Sequence, residues 1–171
     1  VLKYLVGDAT RPVGGGEKII THCCNDLGRW GSGFVVPLGR LYPSAKFAYH
    51  RWCEGLDDPS YSATGLMGLG EIQFVQVEPH LWVVNIIGQH GVIDRTPAGE
   101  GPPIRYEAIR QGFAKLRGFA TLRSASVHMP RMGAGLAGGQ WEEIEKLINA
   151  ELLSGGLDVF VYDLPTKEAS F

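Results

Sequence analysis

The stretch His22-Cys23-Cys24-Asn25-Asp26-Leu27-Gly28-Arg29-Trp30-Gly31-Ser32-Gly33-Phe34 decides how the rest of the chain is read. Ahead of it, the apolar run from Lys18 through Cys24 predicts a strand. Behind it, Phe34-Val35-Val36-Pro37-Leu38 resumes apolar character at helical spacing, and Pro37 is tolerated in a first helical turn because its missing N–H would be unpaired there anyway. The order is therefore strand, glycine-rich loop, helix. Glycines allow positive φ and close backbone approach, and the unpaired N–H groups of a helix start favour an anion, most simply a phosphate. Turns of this kind also occur without a ligand, so a second feature has to decide.

Composition narrows the field. A chain of 171 residues with 44% hydrophobic content fits one domain around a single core, and its 24 clustered glycines point to special backbone turns rather than disorder. With 16 basic and 18 acidic residues, the net charge of −2 gives no electrostatic case for duplex nucleic acid or an anionic membrane. Nucleic acid and membrane partners are not expected. Three cysteines, two of them adjacent in an apolar run, read as buried thiols of a reducing compartment and match neither a disulfide framework nor a metal spacing. No apolar run approaches the roughly 20 residues of a membrane span, and the first residues lack the charged-then-apolar order of a signal peptide. The expected location is the cytoplasm.

Outward from the central stretch, Val1 to Val6 predicts a strand closed by the turn Gly7-Asp8-Ala9-Thr10, and a triple glycine, Gly14 to Gly16, follows. Strand Lys18 to Cys24 is apolar enough to be central in its sheet. Beyond the glycine loop, two helical pieces are expected near 35–41 and 43–54, with the bend at Pro43. Asp57 to Gly68 reads as loop, and Glu71 to Val77 with Leu81 to Ile87 as a hairpin. Gly88 to Pro103 is rich in glycine and proline, and a loop of that length is usually a functional lid or disordered.

Helical spacing returns over Ile104 to Phe119 with Ile104, Ala108, Ile109, Phe113 and Leu116 on one face. A short strand, Ala125 to Met129, leads into a second glycine cluster, Pro130-Arg131-Met132-Gly133-Ala134-Gly135-Leu136. A helix over Trp141 to Leu153 and a last strand, Asp158 to Leu164, complete the order. Such alternation packs as a mixed sheet covered by helices on both faces, with ligands beyond the carboxyl ends of the strands. Both glycine clusters leave strand ends and enter helices, which suits a diphosphate.

These residues resemble the macrodomain family, ADP-ribose-binding modules. Gly7-Asp8-Ala9-Thr10 resembles the family's opening turn, Arg29 to Phe34 its first phosphate loop, and Pro130 to Leu136 followed by Gln140-Trp141 its second. The resemblance covers nearly the whole chain and is nearest the terminal ADP-ribose protein glycohydrolase branch. It implies a three-layer α/β/α fold with a central mixed sheet over residues 1–165, a short tail over 166–171, and no cofactor or metal.

By the same resemblance, Asp8 accepts from the adenine amino group with help from the Ala9 backbone, or else caps its own turn. Gly31, Ser32, Gly33 and Phe34 hold the diphosphate from one side, and Gly133, Ala134, Gly135 and Leu136 from the other. Asn25 and Asp26 face the distal ribose. Tyr162 lies against adenine or ribose, or in the core, and Arg131 binds a phosphate or pairs with an acid. The glycohydrolase branch also carries a nucleophilic lysine after its first loop and an aspartate after its second, where this sequence has Gly39 and Ala137. Arg40 cannot replace the lysine, because a guanidinium stays protonated.

Chemistry without that lysine needs a positioned water. Asp26 or His90 is the candidate base, with a solvated loop imidazole as the plainer reading of His90, while His22 and His128 are expected to be satisfied core histidines. Three functions follow. They are a hydrolase releasing ADP-ribose from acidic side chains of modified proteins, with Asn25 orienting the ribose; a phosphatase acting on ADP-ribose 1''-phosphate; and a reader that binds without turnover. The paired polar groups Asn25-Asp26 and the long loop favour the hydrolase.

Overall fold

The computed structural model describes residues 1–92, 101–135 and 137–165. Seven strands form one sheet in the order β1-β7-β6-β2-β5-β4-β3. They are β1 (Leu2–Val6), β2 (Lys18–Asn25), β3 (Ser62–Ala63), β4 (Ile72–Glu78), β5 (Leu81–Gln89), β6 (Ser126–Pro130) and β7 (Val159–Asp163). Strands β1, β7, β6, β2 and β5 run parallel to one another, while β4 and β3 are antiparallel additions at one edge. The sheet is thus mixed, as expected, and β2 lies at its centre.

Period-two alternation along β2 splits its side chains between two cores. Ile19 joins the larger one, beneath α3 (Tyr106–Arg123) and α4 (Trp141–Leu147), where Ile109, Phe113, Leu116, Ile144 and Ile148 are fully buried. Ile20 and Cys24 face the other way, toward α1 (Val35–Leu41) and α2 (Pro43–Cys53), with Leu38, Ala45, Tyr49 and Trp52. Helices therefore cover both faces, giving three α/β/α layers.

Three expectations are corrected. The segment read as loop over Asp57 to Gly68 contains β3, whose two residues are too short to show alternation. The helix expected over Ile104 to Phe119 begins at Tyr106 and runs to Arg123, closed by Ser124 in the left-handed region. The helix expected over Trp141 to Leu153 is α-helical only to Leu147, then widens into a π-helical stretch, Ile148–Leu152, and a 3₁₀ turn, Leu153–Gly155. Its buried stripe survives the change, with Ile148 and Leu152 in the core.

Buried polar groups are tied together through strand register. His22 lies opposite Asn85 on adjacent parallel strands, and its Nε2 sits 2.6 Å from Asn85 Oδ1. Asn85 Nδ2 donates to Gln73 Oε1 (2.9 Å), and Gln73 Nε2 donates to the Ala48 carbonyl (2.8 Å). That direction of donation fixes the His22 proton on Nε2. On the other side, His128 bridges Ser126 Oγ and the Tyr162 hydroxyl, both at 2.8 Å. Burial lowers both histidines to about 4, against a weaker opposing effect of the Asn85 hydrogen bond at His22.

A histidine whose folded pKa lies below its unfolded value of about 6.5 leaves the unfolded chain with more protons between the two values, so stability falls as pH drops through that window. The two sites together are expected to remove several kcal/mol, on the order of 3 each, between pH 6.5 and 4. Urea midpoints measured across this range should fall steeply in the wild type and less in His128→Gln. An equally steep fall in that variant would contradict the assignment.

Candidate functional site

Strands β2 and β6 are parallel neighbours, so the loops that follow them emerge side by side at the same end of the sheet. Between these loops lies a cleft of ≈ 190 Å³, lined from the first loop by Ser32, Gly33, Phe34 and Val35 and from the second by Arg131, Met132, Gly133, Gly135 and Ala137. His22 and Cys23 form its floor and Gln89, at the end of β5, another wall. A larger cavity of ≈ 610 Å³ beside β3 is lined by Trp52, Asp57, Asp58 and Tyr61, away from both glycine clusters.

The backbone explains what the cleft is for. The N–H groups of Gly31, Ser32, Gly33 and Phe34, and those of Gly133, Ala134 and Gly135, donate to no carbonyl among the described residues. Gly31, Ser32, Gly33 and Gly135 are exposed, so their amides are open to solvent or to a ligand, and loop amides of this kind suit an anion. Helix α1 has only seven residues, so the loop amides rather than a long helix dipole supply the positive field. Gly33 has φ +80° and open space where a Cβ would stand, as does Gly31 at its own position. Gly135 likewise faces open space.

Gly133 plays a different part. At φ +72°, a Cβ there would overlap the Ile104 side chain, so this glycine packs the second loop against the chain ahead of α3. Ala134 packs against the larger core, and Leu136 lies outside the described residues.

Two of the expected catalytic residues meet. Asp26 directly follows β2 and His90 directly follows the neighbouring β5, and His90 Nδ1 sits 2.6 Å from Asp26 Oδ2. Asp26 Oδ1 accepts from the Gly91 N–H (2.7 Å), so the carboxylate is held at both oxygens. A carboxylate accepts, so the imidazole donates from Nδ1. His90 and Gly91 follow Gln89, the cleft-lining residue of the long glycine- and proline-rich stretch, whose residues 93–100 lie outside the described residues.

Asn25 is turned inward instead. Its Oδ1 accepts from the N–H groups of Leu27 and Arg29 and from the Tyr49 hydroxyl, and its Nδ2 donates to the Arg29 carbonyl. The amide folds the loop that carries Asp26, and at 8% exposure it does not present its oxygen to a sugar. Asp8 caps its own turn through Oδ1, which accepts from the Thr10 N–H (2.9 Å) and hydroxyl (2.7 Å), while Oδ2 takes no hydrogen bond from the described residues. Ala9, beside it, is buried.

Tyr162 belongs to the core, where its hydroxyl meets His128 and accepts from the Val13 N–H (3.0 Å). Arg131 pairs in bidentate fashion with Asp163 (2.6 and 3.1 Å) and lies over the rings of Tyr4 and Trp141, so its charge is spent on an acid. Strand adjacency again decides the partner, because β6 and β7 end together.

The floor offers no nucleophile. Burial pushes the Cys23 thiol up to about 12, and burial keeps His22 neutral. Among the described residues, no group of three or more His, Cys, Asp or Glu is placed to hold a metal ion, and no helix is long and apolar enough to cross a membrane.

Sequence reasoning missed Trp30, the residue that shapes the first loop from behind. Its indole is 7% exposed, stands edge-on to His22 at 5.4 Å, and leaves Nε1 buried without a hydrogen-bond partner. A Cβ at Gly39 would lie 2.6 Å from that nitrogen. The ring therefore fills the space a side chain at position 39 would need. Tryptophan beside three glycines was the available signal.

Fold and cleft together define an α/β module with a glycine-rich cleft at its strand ends, and comparison with known proteins places it in a family. The macrodomain protein from Streptomyces coelicolor is 44% identical, with 95% of this chain and 99% of that one covered and a TM-score of 0.78. A protein of unknown function from Bacteroides thetaiotaomicron is also 44% identical, covering 96% and 98%, with a TM-score of 0.87. The chain belongs to the macrodomain family.

No family model matches the chain. Among curated proteins, the mouse chromodomain-helicase-DNA-binding protein 1-like is 28% identical over 169 residues, and the match takes in 98% of this chain but 18% of that protein. The chain thus spans less than a fifth of the length of that relative. The Trypanosoma brucei macrodomain in complex with ADP-ribose shares the fold at 15% identity, with a TM-score of 0.59 and coverage of 98% and 65%.

Gly39→Ala is expected to destabilise the protein by about 1–3 kcal/mol, because the rigid indole cannot yield as a flexible side chain would. Denaturant unfolding measures this, and Gly39→Ala at wild-type stability would show that Trp30 is free to move.

Proposed function

We propose that the cleft binds ADP-ribose, with the diphosphate between the two loops, and that the protein hydrolyses the ester joining ADP-ribose to an acidic side chain of a modified protein. The observation that carries the binding reading is the pair of loops whose unspent amides line one cleft. Membership of the macrodomain family and the Trypanosoma relative's ADP-ribose complex support the choice of ligand.

The Asp26–His90 pair supports turnover. In this reading His90 Nε2 takes a proton from a water, the water oxygen bonds to the distal anomeric carbon, and the bond from that carbon to the carboxylate oxygen breaks. The side-chain carboxylate leaves with the electron pair. Asp26 holds the imidazole in the required tautomer and stabilises its charged form, as an orienting carboxylate does. Asn25 is a positioning residue, acting through the loop it folds. A route through a covalent lysine is closed, since Gly39 has no side chain and Trp30 occupies the place of one.

Calorimetry with ADP-ribose should give one site in the wild type and none in Gly33→Val, whose side chain would enter the phosphate's place and whose backbone would be strained. Retained affinity in that variant would overturn the loop assignment. With a protein auto-modified on acidic residues as substrate, His90→Ala and Asp26→Asn should lower ADP-ribose release by about 10²–10⁴ while ADP-ribose still binds. Binding without release in the wild type would make the protein a reader, and phosphate release from ADP-ribose 1''-phosphate would make it a phosphatase.

A further inference from the structure

From Leu27 through Cys53 the sequence contains no aspartate or glutamate, although the whole chain is net acidic. The same stretch carries Arg29, Arg40, Lys46 and Arg51. Of these, Arg51 pairs with Asp58 and lies over the Phe47 ring, whereas Arg29, Arg40 and Lys46 pair with no carboxylate among the described residues. Four large apolar side chains are exposed between them: Leu27 (47%), Val36 (38%), Leu41 (38%) and Phe47 (57%).

Helical spacing gathers those that stand on α1 and α2, while Leu27 and Arg29 stand in the loop ahead of them. In α1, Leu38 faces the core, so Val36 and Arg40 take the outer surface, with Leu41 exposed at its edge. In α2, Ala45, Ala48, Tyr49 and Trp52 face the core, so Lys46 and Phe47 do the same. Both helices lie in one layer and pack on each other. The surface also abuts the cleft, because Val35 lines it and Val36 is the next residue.

We propose that this outer face of α1 and α2 docks the polypeptide that carries the modification, and that it selects segments in which acidic residues alternate with apolar ones. The inference rests on the hydrolase reading of the cleft. Charge complementarity identifies the occupant: Arg40 and Lys46, which pair with no carboxylate among the described residues and stand on two helices that carry no Asp or Glu, attract a segment rich in carboxylates, and a side chain that is itself Asp or Glu is found in such segments. The apolar part is Val36 and Leu41 with the single ring of Phe47. Single-stranded nucleic acid instead needs a row of aromatic platforms for its bases.

Fluorescence anisotropy with a short labelled peptide of alternating Glu and Leu, carrying no ADP-ribose, tests docking apart from the cleft. The wild type should bind it, more weakly as salt rises. Arg40→Glu/Lys46→Glu should lose about tenfold or more in peptide affinity by like-charge repulsion, and Leu41→Ser/Phe47→Ser a comparable amount. Arg40→Lys/Lys46→Arg should retain it. Calorimetry with free ADP-ribose on the same samples should show unchanged affinity in every variant, which also verifies folding. Loss of that affinity in the wild type would sink the cleft reading alone. No peptide binding by the wild type, equal binding by the charge-reversed variant, or tighter binding of a labelled oligothymidine would overturn the docking proposal.

Discussion

Backbone amides that find no acceptor among the described residues set the character of this molecule. A folded chain pairs nearly all its buried N–H groups, whereas these belong to exposed or half-buried loop residues, where solvent or a ligand completes them. Here they belong to two loops that leave adjacent parallel strands, β2 and β6. Parallel neighbours must send their following loops to the same end of a sheet. The cleft is thus a consequence of strand order, and placing β2 centrally, with an apolar face on each side, is what makes it possible.

The same adjacency organises the charges around the cleft. Asp26 at the end of β2 finds His90 at the end of β5, and Arg131 at the end of β6 finds Asp163 at the end of β7. Each pair ties two neighbouring strand ends, and each lies partly exposed, where ion pairing alone adds little stability. Their value lies in geometry. Arg131 fixes the stem of the second loop, and the Asp26–His90 contact holds the start of the long segment after β5 against the first loop. Behind the first loop, Trp30 and Asn25 set its shape, one by filling space and the other by hydrogen bonding.

The fold was largely legible in the sequence because its signals are local and strong. The apolar run of β2, the glycine clusters after β2 and β6, and the buried stripe of α3 each report an element without help from distant residues. What was hidden depends on partners in space. Whether Arg131 meets a phosphate or Asp163, and whether Tyr162 meets a ligand or His128, is decided by strand order, which the chain does not display locally. Asn25 reads as a polar group beside a sugar site, yet four hydrogen bonds to its own loop and to Tyr49 turn it inward. Gly133 and Gly135 look equivalent in sequence, but only Gly133 is demanded by packing against Ile104. Strand β3 is too short for periodicity, and the π-helical turn after Leu147 keeps the apolar spacing of an α-helix.

The central claim is that two loops far apart in sequence act as one receptor. Amide-resolved NMR during titration with ADP-ribose tests it directly. The account predicts that the backbone signals of Ser32, Gly33 and Phe34 and those of Gly133 and Gly135 move together along one saturation curve. Movement confined to a single loop, or two curves with different midpoints, would contradict it.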